Sequence, residues 1–250
     1  MTPPSNQHSL SDWLQLHELS QATCRSLLDA MPLRSTMSGC YRRAAEPDGT
    51  VIDVDTAWGT AVEAMRAFFP AQKDIIDLAF ANTTRLLVAR RQGSRKAVTV
   101  DNGANTYPTI LYSFAGEPAD QLVLAHEFAH ALQIVASEGR FVSPVMRETC
   151  AFLGEHTLLA HIASLDAMQH HCLTQVWNAD NQKYFGSGKR RLAAALSQPD
   201  QAYSYAWNYP MARYLGVQAQ SRLTPTDIWA LFEGHVTVAG LLRDLGVQPA

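Results

Sequence analysis

The chain has 250 residues, of which 47% are hydrophobic and 17% charged, the profile of a globular protein long enough to bury a core without staples. A formal net charge of −3 argues against a nucleic-acid binder; the basic clusters, Arg90-Arg91 with Arg95-Lys96 and Lys189-Arg190-Arg191, are short enough to be solvated faces. No uninterrupted run of about 18 apolar residues exists, so no membrane-spanning helix is expected. The polar N-terminus lacks the charged and apolar regions of a secretory signal. Cys24, Cys40, Cys150 and Cys172 show no C-x-x-C spacing and fit free thiols in a reducing cytosol better than a zinc ribbon or a disulfide framework, so a cytoplasmic location is expected.

Residues 1–10 read as disordered. Residues 11–31 read as one helix with Leu14, Leu16, Leu19, Leu27 and Leu28 among its apolar positions, ended by Pro32. Residues 33–56 are irregular, with a turn at Glu46-Pro47-Asp48-Gly49. Helices follow at 56–69 and 73–81. Three short stretches, 85–90, 97–100 and 109–114, are rich in β-formers, and the turn-rich loop Asp101-Asn102-Gly103-Ala104-Asn105 separates the last two. A small sheet is expected there. The strand ending at Phe114 runs directly into the next helix, and its free edge could pair with an extended peptide.

That next helix, 118–137, carries His126-Glu127-Phe128-Ala129-His130, an H-E-x-x-H pattern. Pro118 suits its first position, and Gly139 offers a stop. Leu122, Val123, Leu124, Phe128, Leu132, Ile134 and Val135 leave little polar face, so the helix should be buried. Residues four apart stack on one helix face, so His126 and His130 can share one cation, with Glu127 beside them. Burying these groups unpartnered costs roughly 2–7 kcal/mol each, and a metal would satisfy them.

A catalytic zinc wants three protein ligands and one open position. Downstream candidates are Glu138, Glu148, Cys150, Glu155, His156 and His161. Glu138 sits at the end of the same helix and is poorly placed. Ser143-Pro144 starts a second helix running to about His161, and after a reversal at Gly139 it brings Glu148 back level with the histidines. Glu155, seven residues on, is either a carboxylate that orients a ligating histidine or a solvated charge. Later helices are expected at about 171–184, 188–196, 200–220, 224–233 and 235–245. Glu127 would act as general base. The tyrosine-dense stretch 202–209 offers Tyr205 and Tyr209 as oxyanion donors, or as an aromatic core stripe.

Taken together, these stretches resemble the catalytic half of the oligoendopeptidase F and thimet oligopeptidase group of zinc peptidases. The likeness lies in Tyr107 to Gly116, Asp120 and the Leu124–His130 motif, in Glu148 to Glu155 with its paired glutamates, and in Tyr203 to Trp207. Weaker stretches run from Trp58 through Phe80 to Gly93-Ser94-Arg95-Lys96 and from Leu241 to Val247. The resemblance implies a mainly α, zincin-like (gluzincin) fold with a small β-sheet and hydrolysis of peptide bonds. It implies one zinc ion on His126, His130 and Glu148, Glu127 as base, and Tyr205 as the oxyanion donor. The chain departs from that pattern at Ala129, where glycine is usual and a methyl is expected to crowd the neighbouring strand. It lacks the family's histidine upstream of the tyrosines, and a further tyrosine falls on Ala202. Residues 1–57 read as an N-terminal helical extension before a catalytic domain at 58–250. With so little chain ahead of the match, the site should be open, covered by a protein partner or a second copy, or adapted to another amide. The leading expectation is a zinc metallopeptidase acting on oligopeptides or a small peptide-like substrate. The alternatives are a specialised amide hydrolase in a biosynthetic pathway and a catalytically silent relative that binds a peptide or partner.

Overall fold

The computed structural model describes residues 8–32, 52–89, 97–198 and 200–247. The irregular stretch expected after Leu33, with its turn at 46–49, lies almost wholly outside them, as do residues 1–7 of the N-terminal tail. Among the described residues the chain forms eleven α-helices and one three-stranded sheet. In chain order these are α1 (Leu10–Leu16), α2 (Gln21–Ala30), α3 (Val54–Phe68), α4 (Lys73–Asn82), β1 (Thr84–Leu87), β2 (Val98–Val100), β3 (Thr109–Tyr112), α5 (Pro118–Ala136), α6 (Pro144–Ala163), α7 (Ala167–Gln182), α8 (Lys189–Ala195), α9 (Asn208–Arg222), α10 (Pro225–Phe232) and α11 (Val238–Asp244). A π-helical turn, Lys183–Gly188, joins α7 to α8. Among the described residues no helix is long and apolar enough to cross a membrane.

Because α5 is apolar nearly all round, it belongs in the interior, and it packs against α3, α4, α6 and α7 with the sheet on one flank. Its start is fixed by Asp120, whose Oδ2 accepts the backbone N–H groups of Ala115 (2.8 Å) and Glu117 (3.1 Å). At its end both Glu138 (φ 50°) and Gly139 (φ 80°) are left-handed, which turns the chain back into α6. The return helix approaches closely at Gly154. A Cβ there would stand 2.5 Å from Ala129 Cβ and 2.8 Å from the Ala125 carbonyl oxygen. The methyl of Ala129 therefore meets α6, not a strand, and the glycine that makes room for it sits on the partner helix. On its other side α6 packs along α9.

Ser143 has the extended backbone of a cap, but its hydroxyl makes no capping bond. The Val145 N–H at the start of α6 instead donates to His17 Nε2 (3.2 Å). Supplying that cap requires a break in the single helix expected at 11–31. Glu18 (φ 54°) turns left-handed after α1, with Glu18 N–H on Gln15 O and Leu19 N–H on Leu14 O, a Schellman closure made without glycine. Ser20 then caps α2. Leu10, Trp13, Cys24, Leu27 and Leu28 lie in the same buried cluster as Phe128 and Phe152. Trp13 Nε1 donates to Asn208 Oδ1 (2.7 Å), and Tyr203 N–H to the His8 carbonyl (2.7 Å), so α1 braces the tyrosine stretch. That stretch is not the front of one long helix: Tyr205–Trp207 form a 3-10 turn and α9 begins only at Asn208.

The sheet order is β1-β3-β2, with β1 parallel and β2 antiparallel to β3. The strand leading into α5 is thus central and has no free edge. One face of it is covered: Ile110 is fully buried and Tyr112 packs edge-on against Trp58 at 5.3 Å. Both β2 and β3 pack on the H-E-x-x-H helix, and it is β2, with Thr99 opposite Ile110, that reaches Glu127.

Candidate metal centre

On α5 the rings of His126 and His130 lie 4.8 Å apart at 80°. Glu148 arrives from the second turn of α6, and its Oε2 is 3.4 Å from His126 Nε2 and 3.7 Å from His130 Nε2. Two ligands on metal bonds of about 2.0–2.1 Å at a tetrahedral angle stand about 3.3 Å apart, so the three atoms fit around one small cation. Glu148 Oε2 is buried without a hydrogen-bond partner, an arrangement that costs free energy unless a cation completes it. Among the described residues these three form the one His/Cys/Asp/Glu group that could hold an ion. Glu138 is exposed, Cys150 is buried, and His156 packs on Trp177; none of them joins it.

Two of the three groups, Glu148 and His126, are held from behind. The other oxygen of Glu148 accepts a hydrogen bond from Tyr205 Oη (2.7 Å). His126 Nδ1 lies 2.7 Å from Glu155 Oε1, which settles the choice left open by the sequence in favour of an orienting carboxylate. Glu155 Oε2 in turn accepts from Arg213 Nη1 (2.7 Å). Arg213, on α9, is 0% exposed; it donates to Asn181 Oδ1 and the Trp177 carbonyl and lies over the Trp177 ring. Sequence reading missed Arg213. The signal was present: a lone charge inside Met211-Ala212-Arg213-Tyr214-Leu215, the same kind of clue that marked α5.

The electrostatics follow from this packing. Burial disfavours the charged form of His126, but the Glu148 and Glu155 carboxylates beside it outweigh burial and raise its pKa well above the ordinary histidine range. Burial lowers that of His130, and the charges of His126 and Arg147 act the same way, against those of Glu148 and Glu127. Burial pushes Glu148 upward, yet His130, His126 and the Tyr205 hydroxyl hold it down at about 2. Glu155 is lowered because Arg213 and His126 overcome burial. The phenols of Tyr205 and Tyr209 are raised, chiefly by burial and by Glu148, and stay protonated.

Glu127 lies at the wall of a cleft of about 260 Å³ that also exposes His126, His130, Glu148, Tyr205 and Tyr209. Its Oε2 is 2.7 Å from Thr99 Oγ1 on β2, and that hydroxyl is also 3.0 Å from the Glu127 carbonyl oxygen. Nothing in the sequence singled out Thr99, because the pairing register alone turns it inward. Tyr205 is 45% exposed at the cleft mouth, and its ring lies 5.8 Å from that of Tyr209. All the residues expected at the centre therefore come together, from α5, α6 and the turn before α9. Compared with protein-family models, with curated proteins and with solved structures, the chain matches none.

Proposed function

We propose that this chain is a zinc-dependent metallopeptidase with a zincin-like catalytic core, acting on oligopeptides or a small peptide-like substrate. The observation that carries the reading is the buried Glu148 Oε2, unpartnered and aimed between two imidazoles. His126, His130 and Glu148 would hold the ion. Bound there, zinc supplies Lewis acidity toward a carbonyl and acidifies water from a pKa of about 15.7 toward about 7.

The remaining work falls to the chain's own groups. The Thr99 hydroxyl engages Glu127 Oε2 and so orients the carboxylate, which lines the cleft and would take a proton from water and return it to the leaving amine. Tyr205 stays protonated, chiefly through burial, and would serve an oxyanion forming in the cleft by turning its one hydroxyl hydrogen away from Glu148 Oε1. The outer edge of β2, at Ala97, Val98 and Thr99, borders the same space and offers backbone groups to an extended peptide. The free thiols of Cys24, Cys150 and Cys172 support a reducing, cytoplasmic setting.

The test is metal analysis after equilibration with zinc, with peptide-library cleavage followed by mass spectrometry, for the wild type and Glu127→Gln. One zinc per chain is expected in both, with cleavage reduced roughly 10²–10⁴-fold in the variant. If neither protein cleaves anything while both bind a partner equally, the chain is a binding protein and the hydrolytic reading fails.

A further inference from the structure

The metal cleft does not end at the metal. It opens into a groove of about 720 Å³ that runs between the loop from Asp101 to Tyr107 and the C-terminal end of α5. Four residues line both spaces: Asp101, Gln133, Ile134 and Arg147. Arg147 precedes Glu148 on α6, so it is tied to the metal centre by the same helical turn. Its Nε donates to the Val142 carbonyl (3.1 Å), which fixes the plane of the guanidinium. Among the described residues it makes no ion pair, although it is half-buried. Asp101 borders the junction as well, but its Oδ1 accepts the Gly103 N–H. Farther along the groove Glu138 and Arg140 pair with each other at 3.6 Å. The junction thus holds the Asp101 carboxylate and, beside it, a guanidinium that makes no ion pair among the described residues and keeps two terminal donor groups, which can receive a carboxylate bidentately.

We propose that Arg147 anchors a carboxylate of the substrate, making this a cleft for anionic peptides whose negative group lies close to the amide being cut. The carboxylate is either the peptide's own C-terminus or an acidic side chain. This inference takes the peptidase reading for its reaction, but the anchoring itself is a binding property. Gln133 and Ile134 give the groove a mixed floor, on which the substrate's backbone and one apolar side chain can rest.

The test uses the full chain carrying Glu127→Gln, with binding of fluorescent peptides read by anisotropy. The peptides come in matched pairs: free C-terminus against C-terminal amide, and Asp or Glu against Asn or Gln. At least one anionic member should bind roughly tenfold to hundredfold tighter than its neutral counterpart, and the pair that shows it identifies the source of the carboxylate. Arg147→Gln should abolish that preference, and Arg147→Lys should restore part of it, since an ammonium keeps the charge without the fork. Arg140→Gln should leave it intact. No preference in the parent, an unchanged preference in Arg147→Gln, or its loss in Arg140→Gln each overturns the assignment. Cleavage by otherwise wild-type protein separates the two claims. Cutting that ignores substrate charge leaves the peptidase and removes the anchor. An Arg147-dependent binding preference without cutting removes the peptidase and leaves the anchor.

Discussion

Two buried histidines, His17 and His126, show how this fold separates a structural imidazole from one prepared for a cation. His17 is 1% exposed and faces one acceptor and one donor: its Nδ1–H donates to the Trp13 carbonyl (2.6 Å), and its Nε2 accepts the Val145 N–H (3.2 Å). A neutral ring satisfies both partners, and burial lowers its pKa accordingly. His126 faces two acceptors, Glu155 through Nδ1 and Glu148 through Nε2. A neutral ring has one hydrogen and cannot serve both. Either a second proton or a metal must fill the gap, and the raised pKa of His126 expresses the same demand. The sign of the partners, not depth of burial, distinguishes the two sites.

The comparison breaks most widely in metal content. Glu148→Ala should lose stoichiometric zinc, measured by atomic emission after dialysis, while His17→Leu should keep it. If both variants retain zinc equally, the two histidines are not different in kind. Next in size is Arg213→Met, which strands the Glu155 carboxylate in the interior. A loss of about 3–5 kcal/mol in urea unfolding is expected. Adding Glu155→Gln should recover part of it, because the uncompensated charge is gone.

Gly154→Ala should cost about 1–3 kcal/mol by overpacking, since its methyl would meet Ala129 Cβ at 2.5 Å. It should weaken zinc binding too, by forcing the helix that carries Glu148 and Glu155 away from His126. Unfolding without a change in metal affinity would show that α6 shifts elsewhere. The smallest effect is the pH response of His17. Its folded pKa is depressed below the unfolded value near 6.5, so the unfolded chain binds the extra proton first. Stability is therefore full above about pH 6.5 and declines as the pH falls toward the folded value. His17→Leu should flatten that decline in thermal melts across pH 5.5–7.5. It should also cost about 1–3 kcal/mol at neutral pH, because the Val145 N–H loses its acceptor.

The side of the molecule around His126 was far more legible in the sequence than the side around His17. H-E-x-x-H spacing sets two candidate ligands on one helix, and Ser143-Pro144 after Gly139 returns a third at a predictable level. These are local rules, and the structure follows them at Pro118–Ala136 and Pro144–Ala163. His17 acts across more than a hundred residues, and the helix break that positions it occurs at Glu18, which carries no glycine to announce it. The central place of β3 was hidden for the same reason: strand order is a tertiary choice, and 109–114 reads alike as edge or centre. Tyr205 was found by resemblance, but its bond to Glu148 was not, because no spacing rule links a turn before α9 to a carboxylate on α6.

The bond between Thr99 and Glu127 has a consequence for how such a centre can be silenced. Side chains alternate along a strand, so sliding β2 by one residue against β3 would exchange Thr99 for Val98 or Val100 on the inner face. Glu127 would lose its tether although every residue of the helix stayed in place. The Glu127 carboxylate is thus positioned by a hairpin outside the motif that defines it, so its setting depends on strand register as well as on the helix itself.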